Sequence, residues 1–452
     1  MASFERSGYA PPAWLLSSHR LDRETERLAG WVREEGADLF ADNGTHPRIE
    51  ALEDRHRPGV VELSREIRAL RRGLGPGRRI PVASEVPASL TRRAREAVGA
   101  LLDDVDRDHD MFSGEALLAD QLRMGPTHLI AREDYAVATM LALGLEREIT
   151  RLDVDWFRRR NRITLGFWRE VVDDPRTRDI DVFATLSAVD YNTALAVGRM
   201  AAQAGVRRVA LGFAGLNSDS TFAERYMAGP GRVLPGAAPR RYVRMAEILC
   251  GLRDGYRDAG VRLLAFHALG CGASSQFPLL AGAFDWWTHI STDATSPLHD
   301  SVRDRVYYDD TAWGDRLHIT GAARRVLGGG EWSFSCPFCD YVRGRFGHDP
   351  EAARSWWEDA GRPDPAVEDL DPEEPLGRHL PAFATARGSA TAVQTRARTA
   401  HNHWMLDTLC AEVPSRDRAA WGRGHLDALQ AQRTRATRLG LAAAAHILDT
   451  LA

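Results

Sequence analysis

Lysine is missing altogether: the 59 basic residues of the chain are all arginine. That excludes any mechanism built on a Schiff-base lysine or a phosphate-loop lysine. An all-arginine basic set is also what a GC-rich coding sequence produces. Cysteine is scarce. Five residues, at 250, 271, 336, 339 and 410, make no disulfide framework in a chain of 452. Only Cys336 and Cys339 stand close, and their C-x-x-C spacing points to metal binding or redox chemistry. Long apolar runs are lacking as well. The most apolar stretch near the end, residues 439–451, is interrupted by His446 and Asp449 and is too short to span a bilayer. The opening MASFERSGYAPPAW has no basic segment followed by an apolar one, so no signal peptide is expected and the expected location is the cytoplasm. Nor is positive charge in excess: a net charge of −4 argues against a generic polyanion binder. The charge is uneven, however. Residues 57–100 carry ten Arg against four Glu, and Arg158, Arg159, Arg160 and Arg162 form a second cluster. Such faces can follow a phosphate backbone, and they read equally well as solvated helix faces.

What is present is the composition of a globular protein, 44% hydrophobic and 27% charged, with a mean hydropathy of −0.34. Short β-like runs at 39–41, 128–131, 182–186, 208–213, 263–269 and 286–290 alternate with helical patterns, the clearest at 192–204. Repeated strand–helix–strand units imply a parallel sheet, and at this length an α/β fold of the (β/α)8 TIM-barrel type fits better than an open sheet. Polar or glycine residues stand at or just after the end of run after run: Asp42, Glu133 and Asp134, Ser187, 212–215, 270–272 and Asp293. In α/β barrels that end of the strands carries the active site. The expected organisation is a barrel over 1–325, with an Arg-rich insertion around 57–100. A C-terminal part, 326–452, would hold the C-x-x-C and end in helices. Residues 305–308 and 316–320 read as strands of a small β-segment, and 348–378, rich in Pro, Asp and Glu, as an insertion or linker.

Six motifs follow one another along the chain. They are Leu39-Phe40-Ala41-Asp42-Asn43-Gly44, the stretch VFATLSAVDYNTAL at 182–195, and Ala210-Leu211-Gly212-Phe213-Ala214-Gly215-Leu216. After these come Leu269-Gly270-Cys271-Gly272, Asp293-Ala294-Thr295-Ser296-Pro297, and Cys336-x-x-Cys339 with His401-Asn402. In this order they resemble the motifs of the tRNA-guanine transglycosylase superfamily over roughly 39–405. The form of the nucleophile segment and the acidic insertion look most like the DpdA-type branch, which exchanges guanine in DNA for 7-cyano-7-deazaguanine (preQ0). The resemblance implies a pentosyltransferase with Asp293 as nucleophile and Asp42 as the proton-handling group. Asp134, in preference to Glu133 beside it, would line the base site with Ser187, Gly212, Ala214, Gly215, Gly270 and Gly272. It also implies a structural zinc on Cys336, Cys339 and His401. Where the family has a further Cys this chain has Phe334, which leaves His403, His348 or Cys410 for the fourth ligand. The implied partners are DNA, with tRNA as the alternative, a 7-deazaguanine, and other proteins of a DNA-modification system; no membrane is expected.

Those residue types suit the reaction. Breaking an N-glycosidic bond develops positive charge at C1′, which a carboxylate beneath the sugar can capture covalently. A second carboxyl must handle protons, because guanine leaves neutral and the incoming base gives up a proton to attack. A carboxylate accepting from N1–H and the 2-amino group selects guanine. Locally, Asp42-Asn43-Gly44 is also a strong turn signal and Asp293 has the composition of a helix cap, while Asp285 is a rival nucleophile eight residues earlier. Two other functions stay open: the same chemistry on tRNA, and an inactive relative that binds nucleic acid as a partner subunit.

Overall fold

The structure, a computed structural model, describes residues 11–73, 86–145, 150, 152–213, 240–285, 287–293, 296–302, 306–309, 315–318, 336, 389–432 and 435–451. The chain divides into two compact units. The larger comprises Ala13–Cys271, Ser275–Asp293 and Pro414–Ala452, and the smaller comprises Met1–Pro12, Gly272–Ser274 and Ala294–Val413.

Seven strands build the larger unit: β1 (Ala13–Ser17), β2 (Asp38–Asp42), β3 (His128–Ile130), β4 (Asp181–Leu186), β5 (Arg208–Gly212), β6 (Ala265–Leu269) and β7 (His289–Thr292). All pair in parallel, and their order in the sheet is their order in the chain. A sheet wound in one direction throughout is the topology of a barrel rather than of a doubly wound open sheet. The central strands β2 to β6 carry consecutive buried residues, as parallel strands covered on both faces do, which is why they read as apolar runs, whereas β1 and β7 at the sheet edges are only partly buried.

The sheet is curled. Strands sit about 4.8 Å apart, so in a flat sheet β2 and β6, four places apart, would be separated by about 19 Å. Instead the Phe40 ring on β2 stacks on His267 of β6 with centroids 4.8 Å apart. Phe40, Ile130, Phe183, Ala210 and Ala265 fill the interior around that stack. The described residues thus supply seven strands of a curled half-barrel where the sequence suggested eight. Its first strand went unread in AWLLS, and the last lies at His289–Thr292 rather than 286–290.

The helices of this unit are α1 (Arg23–Glu34), α2 (His46–Gly73), α3 (Ala88–Met111), α4 (Gly114–Arg123), α5 (Ala136–Ala142), α6 (Val154–Val172), α7 (Tyr191–Gln203), α8 (Arg240–Asp258) and α9 (Phe277–Ala283). Their starts follow from local chemistry. Asp22, Asp153 and Asp190 each accept a backbone N–H of the first turn, and Asp190 with Thr193 completes a reciprocal capping pair at α7. The arginine-rich stretch forms most of α2 and part of α3, which share a small core of Leu63, Val86, Leu90 and Ala94.

In the smaller unit, α10 (Ser296–Val302), the antiparallel pair β8 (Val306–Asp309) and β9 (Asp315–His318), and α11 (Ser389–Ala411) are described. Asn402 on α11 behaves as a surrogate strand partner: its Nδ2 donates to the Val306 carbonyl and its Oδ1 accepts from the Tyr308 N–H, both at 2.9 Å. The terminal helices α12 (Arg418–Gln432) and α13 (Arg435–Thr450) belong to the larger unit, where Arg418 donates to the carbonyls of Asp285 and Thr288.

Candidate active site at the strand ends

Asp42 is the last residue of β2, Asp293 follows the last residue of β7, and Glu133 lies three residues past β3. In a flat sheet β2 and β7 would be about 24 Å apart. Curling brings their ends together closely enough that the charge of Asp293 acts on the Asp42 carboxyl. Burial first, and then the negative charge of Asp293, raise the Asp42 carboxyl above its ordinary range; N–H groups of Gly44 and Asn43, and His267, pull the other way. Gly44 N–H donates to Asp42 Oδ2 at 3.2 Å. Gly44 has φ +65°, and a Cβ there would press on His19, so the turn chemistry of Asp-Asn-Gly and the placing of a site carboxyl are the same feature.

Asn43 ties the neighbouring strand ends. Its Nδ2 donates to the Ala131 carbonyl and its Oδ1 accepts from Thr45 N–H, both at 3.1 Å. Glu133 sits beside it, 9% exposed. Burial, with the charges of Asp42 and Asp134, pushes its carboxyl up to about 8, against a hydrogen bond from the Asn43 side chain.

Asp134 has a different fate. Its carboxylate meets Arg160 Nε at 2.5 Å and accepts from Ala136 N–H at 3.0 Å, with His109 at 3.8 Å. Burial favours the neutral form, but His109 and Arg160 outweigh it and hold the group below its usual range. Arg160 also reaches Asp106 at 2.9 Å. The arginine cluster on α6 therefore contains at least one internal partner rather than a uniformly solvated face. The remaining polar groups of this loop are held too: Arg132 lies over the Phe167 ring, and Tyr135 donates to Asp108. Of Glu133 and Asp134, it is Glu133 whose carboxyl is raised by the charge of Asp42.

Asp293 is fixed from one side. Gly270 N–H donates to its Oδ1 at 2.9 Å, and Gly270 adopts φ +71° to do so. The thiol of buried Cys271 is raised well above its ordinary value by burial and by Asp293. Asp285, by contrast, is exposed in the loop after α9 and offers its backbone carbonyl to Arg418.

Ser187 ends up with its backbone clamped, since Asn161 accepts from its N–H and donates to its carbonyl, both at 2.9 Å. Gly212 is exposed at the end of β5, with no described atom within 4 Å of where a Cβ would stand. Gly272 is buried and falls in the smaller unit. Ala214, Gly215, Cys339 and His348 lie outside the described residues. Sequence reasoning passed over His267 and used Asn43 only as a turn residue. The signal for His267 was there: one imidazole in the middle of the apolar run LLAFHAL.

In the smaller unit Cys336 and His401, both buried, come together: His401 Nδ1 is 3.1 Å from Cys336 Sγ, and its Nε2 is 3.1 Å from the Tyr308 carbonyl. An imidazole that gives one nitrogen to a carbonyl and turns the other toward a thiol is arranged as zinc-binding histidines are. That pair would supply two of the four ligands that a structural zinc takes. His403 does not join it, because residues two apart on a helix point to different sides, and Cys410 lies about 13 Å further along α11. Among the described residues no group of three or more His, Cys, Asp or Glu side chains could hold a metal ion, and no helix is long and apolar enough to cross a membrane.

The chain matches no model of a known protein family, and no curated protein matches it.

Proposed function

We propose that the protein is a base-exchange transglycosylase that replaces guanine in DNA with a 7-deazaguanine such as preQ0. One observation carries the reading: at the C-terminal strand ends Asp42 and Asp293, far apart in sequence and five places apart in the sheet, lie close enough for the charge of Asp293 to raise the Asp42 carboxyl. There the charge of one favours the proton on the other. A carboxyl at Asp42 whose proton is favoured, beside an anchored Asp293, is the division of labour that glycosyl transfer needs.

In this scheme Asp293 Oδ2 attacks C1′ of the nucleotide while the C1′–N9 bond breaks and its electron pair leaves with guanine. Asp42 supplies the proton that lets guanine depart neutral. The incoming deazaguanine then attacks C1′ through N9, its N9 proton passes to Asp42, and the C1′–Oδ2 bond breaks to restore the Asp293 carboxylate. Glu133, beside Asp42, takes the base-edge position for which the sequence favours Asp134 over Glu133; Asp134 is instead engaged by Arg160. Burial and neighbouring negative charge push the Glu133 carboxyl up to about 8, so it takes the carboxylate form that accepts from N1–H and the 2-amino group when those donors face it.

A target base inside a duplex has to be flipped out to reach such a site. Phosphate contacts from the α2–α3 arginines would hold the strand. Part of that charge is spent internally, since Arg57 pairs with Glu53 and Arg93 with Glu62 and Glu66, whereas Arg65 and Arg95 are exposed. A zinc on Cys336 and His401 would brace the smaller unit and take no part in the exchange. DNA rather than tRNA as the polymer rests on the form of the motifs.

The deciding experiment offers preQ0 with plasmid DNA and with bulk tRNA and reads the nucleosides by mass spectrometry. Deoxy-preQ0 in DNA alone is expected, and Asp293→Asn should abolish it while leaving the fold intact. Product only in tRNA would keep the chemistry and change the polymer. Product in neither, with no covalent adduct on Asp293, would make the chain a non-catalytic binding subunit.

A further inference from the structure

His267 has no part in the proton transfers above, yet it lies where they happen. It stands in the middle of β6, 2% exposed, its ring stacked on Phe40 at 4.8 Å and edge-on to Phe183 at 6.2 Å. Those contacts fix the plane of the imidazole. Nδ1 is 2.8 Å from the hydroxyl of Ser291, its register partner on β7. Nε2 is buried, has no hydrogen-bond partner among the described residues, and stands 3.5 Å from Asp293 Oδ1.

The tautomer follows from these neighbours. If Nδ1 carried the hydrogen, the Nε2 lone pair would face a carboxylate oxygen, acceptor against acceptor. With the Ser291 hydroxyl donating to Nδ1, the hydrogen sits on Nε2 and points at Asp293. A buried N–H left without a partner costs its full desolvation, so the arrangement favours a state in which the donor is used. The 3.5 Å separation is longer than a hydrogen bond, as catalytic contacts often are before substrate closes the site.

We infer that His267 is a positioning residue for Asp293: its Nε2–H and the Gly270 N–H together hold Oδ1, leaving Oδ2 as the attacking oxygen. This rests on the base-exchange reading. The imidazole donates a hydrogen bond and transfers no proton. Its contribution is greatest when the C1′–Oδ2 bond breaks and negative charge returns to the carboxylate, because a hydrogen bond to a charged acceptor is stronger than one to the neutral ester. Ser291 sets which nitrogen carries the hydrogen. Phe40 sets the ring plane.

The test measures exchange by the full chain and three variants, beside histidine-selective 15N spectra. His267→Phe keeps an aromatic ring against Phe40 but removes the donor. It should lower kcat by about 100-fold, the size of one hydrogen bond to a charged group, with KM for the incoming base unchanged. His267→Gln, whose amide can donate toward Asp293, should recover about tenfold of that loss. Ser291→Ala, which frees the tautomer, should fall between wild type and His267→Phe. In the spectra, the signal absent from His267→Phe should show the Nε2–H tautomer. Circular dichroism of each variant confirms folding, and His267→Gln carries the comparison if the phenylalanine variant fails to fold. Exchange with undiminished kcat in either His267 variant, or an Nδ1–H tautomer, overturns this inference alone. No exchange by the wild type on either polymer overturns the base-exchange reading and this inference with it.

Discussion

Glu133 and Asp134 are neighbours in sequence whose surroundings push them in opposite directions. Asp134 is met by Arg160 and stays charged; Glu133 meets only negative charge and one amide, and is pushed up to about 8. Sequence alone could not separate them, because Arg160 and Asn43 reach this loop from distant segments. The raised value has a consequence for stability. In the unfolded chain Glu133 ionises near 4.5, and in the folded chain near 8. Its neutral form therefore favours folding fully below pH 4.5, and that advantage is lost as pH rises through 8. Glu133→Gln cannot ionise and should escape this loss. Thermal unfolding of the two proteins should diverge between pH 5 and 9, the variant ending more stable by on the order of a few kcal/mol. Parallel curves would mean that Glu133 is already ionised at neutral pH.

At the scale of elements, the closest packing in the larger unit lies between α7 and α8, and glycine makes it possible. A Cβ at Gly251 would collide with the carbonyl of Tyr191, one at Gly255 with the carbonyl of Leu195, and one at Gly198 with that of Leu252. Since backbone cannot yield as a flexible side chain does, Gly251→Ala should destabilise by about 1–3 kcal/mol despite the higher helix propensity of alanine. Chemical denaturation measures this directly. Gly59 and Gly99, with nothing described within 4 Å, should tolerate the same change. The helix at 192–204 was legible from its apolar spacing and is found at Tyr191–Gln203, capped by Asp190. Its glycine contacts were not legible, because they depend on which helix lies alongside.

For the molecule as a whole, curvature is the decisive property. Stacking of Phe40 on His267 and the effect of the Asp293 charge on Asp42 both bring together strands that a flat sheet would hold about 19–24 Å apart. The smaller unit has its own buried pair, Cys336 and His401, with His401 Nδ1 3.1 Å from Cys336 Sγ, which is two of the ligands of the proposed zinc. Chain purified without chelator should contain about one zinc per molecule, and Cys336→Ser or His401→Ala should lose it. Metal analysis of the three proteins checks this. Undiminished zinc in both variants, or none in the wild type, would leave the pair as a thiol–imidazole hydrogen bond and nothing more.

By itself the sequence determined the parallel strand–helix alternation, the position of most strands, and the fact that carboxylates and glycines gather where strands end. These are local properties, set by side-chain period, turn chemistry and the need to bury apolar runs on both faces. Only the tertiary structure decided which of those strand ends face one another. It separated Glu133 from Asp134, placed Asp293 rather than Asp285 beside Asp42, and put His267 between Ser291 and Asp293. The reason is physical: the pKa of a carboxyl and the tautomer of an imidazole depend on charges and donors a few ångströms away. In a curled sheet those neighbours come from strands remote in the chain.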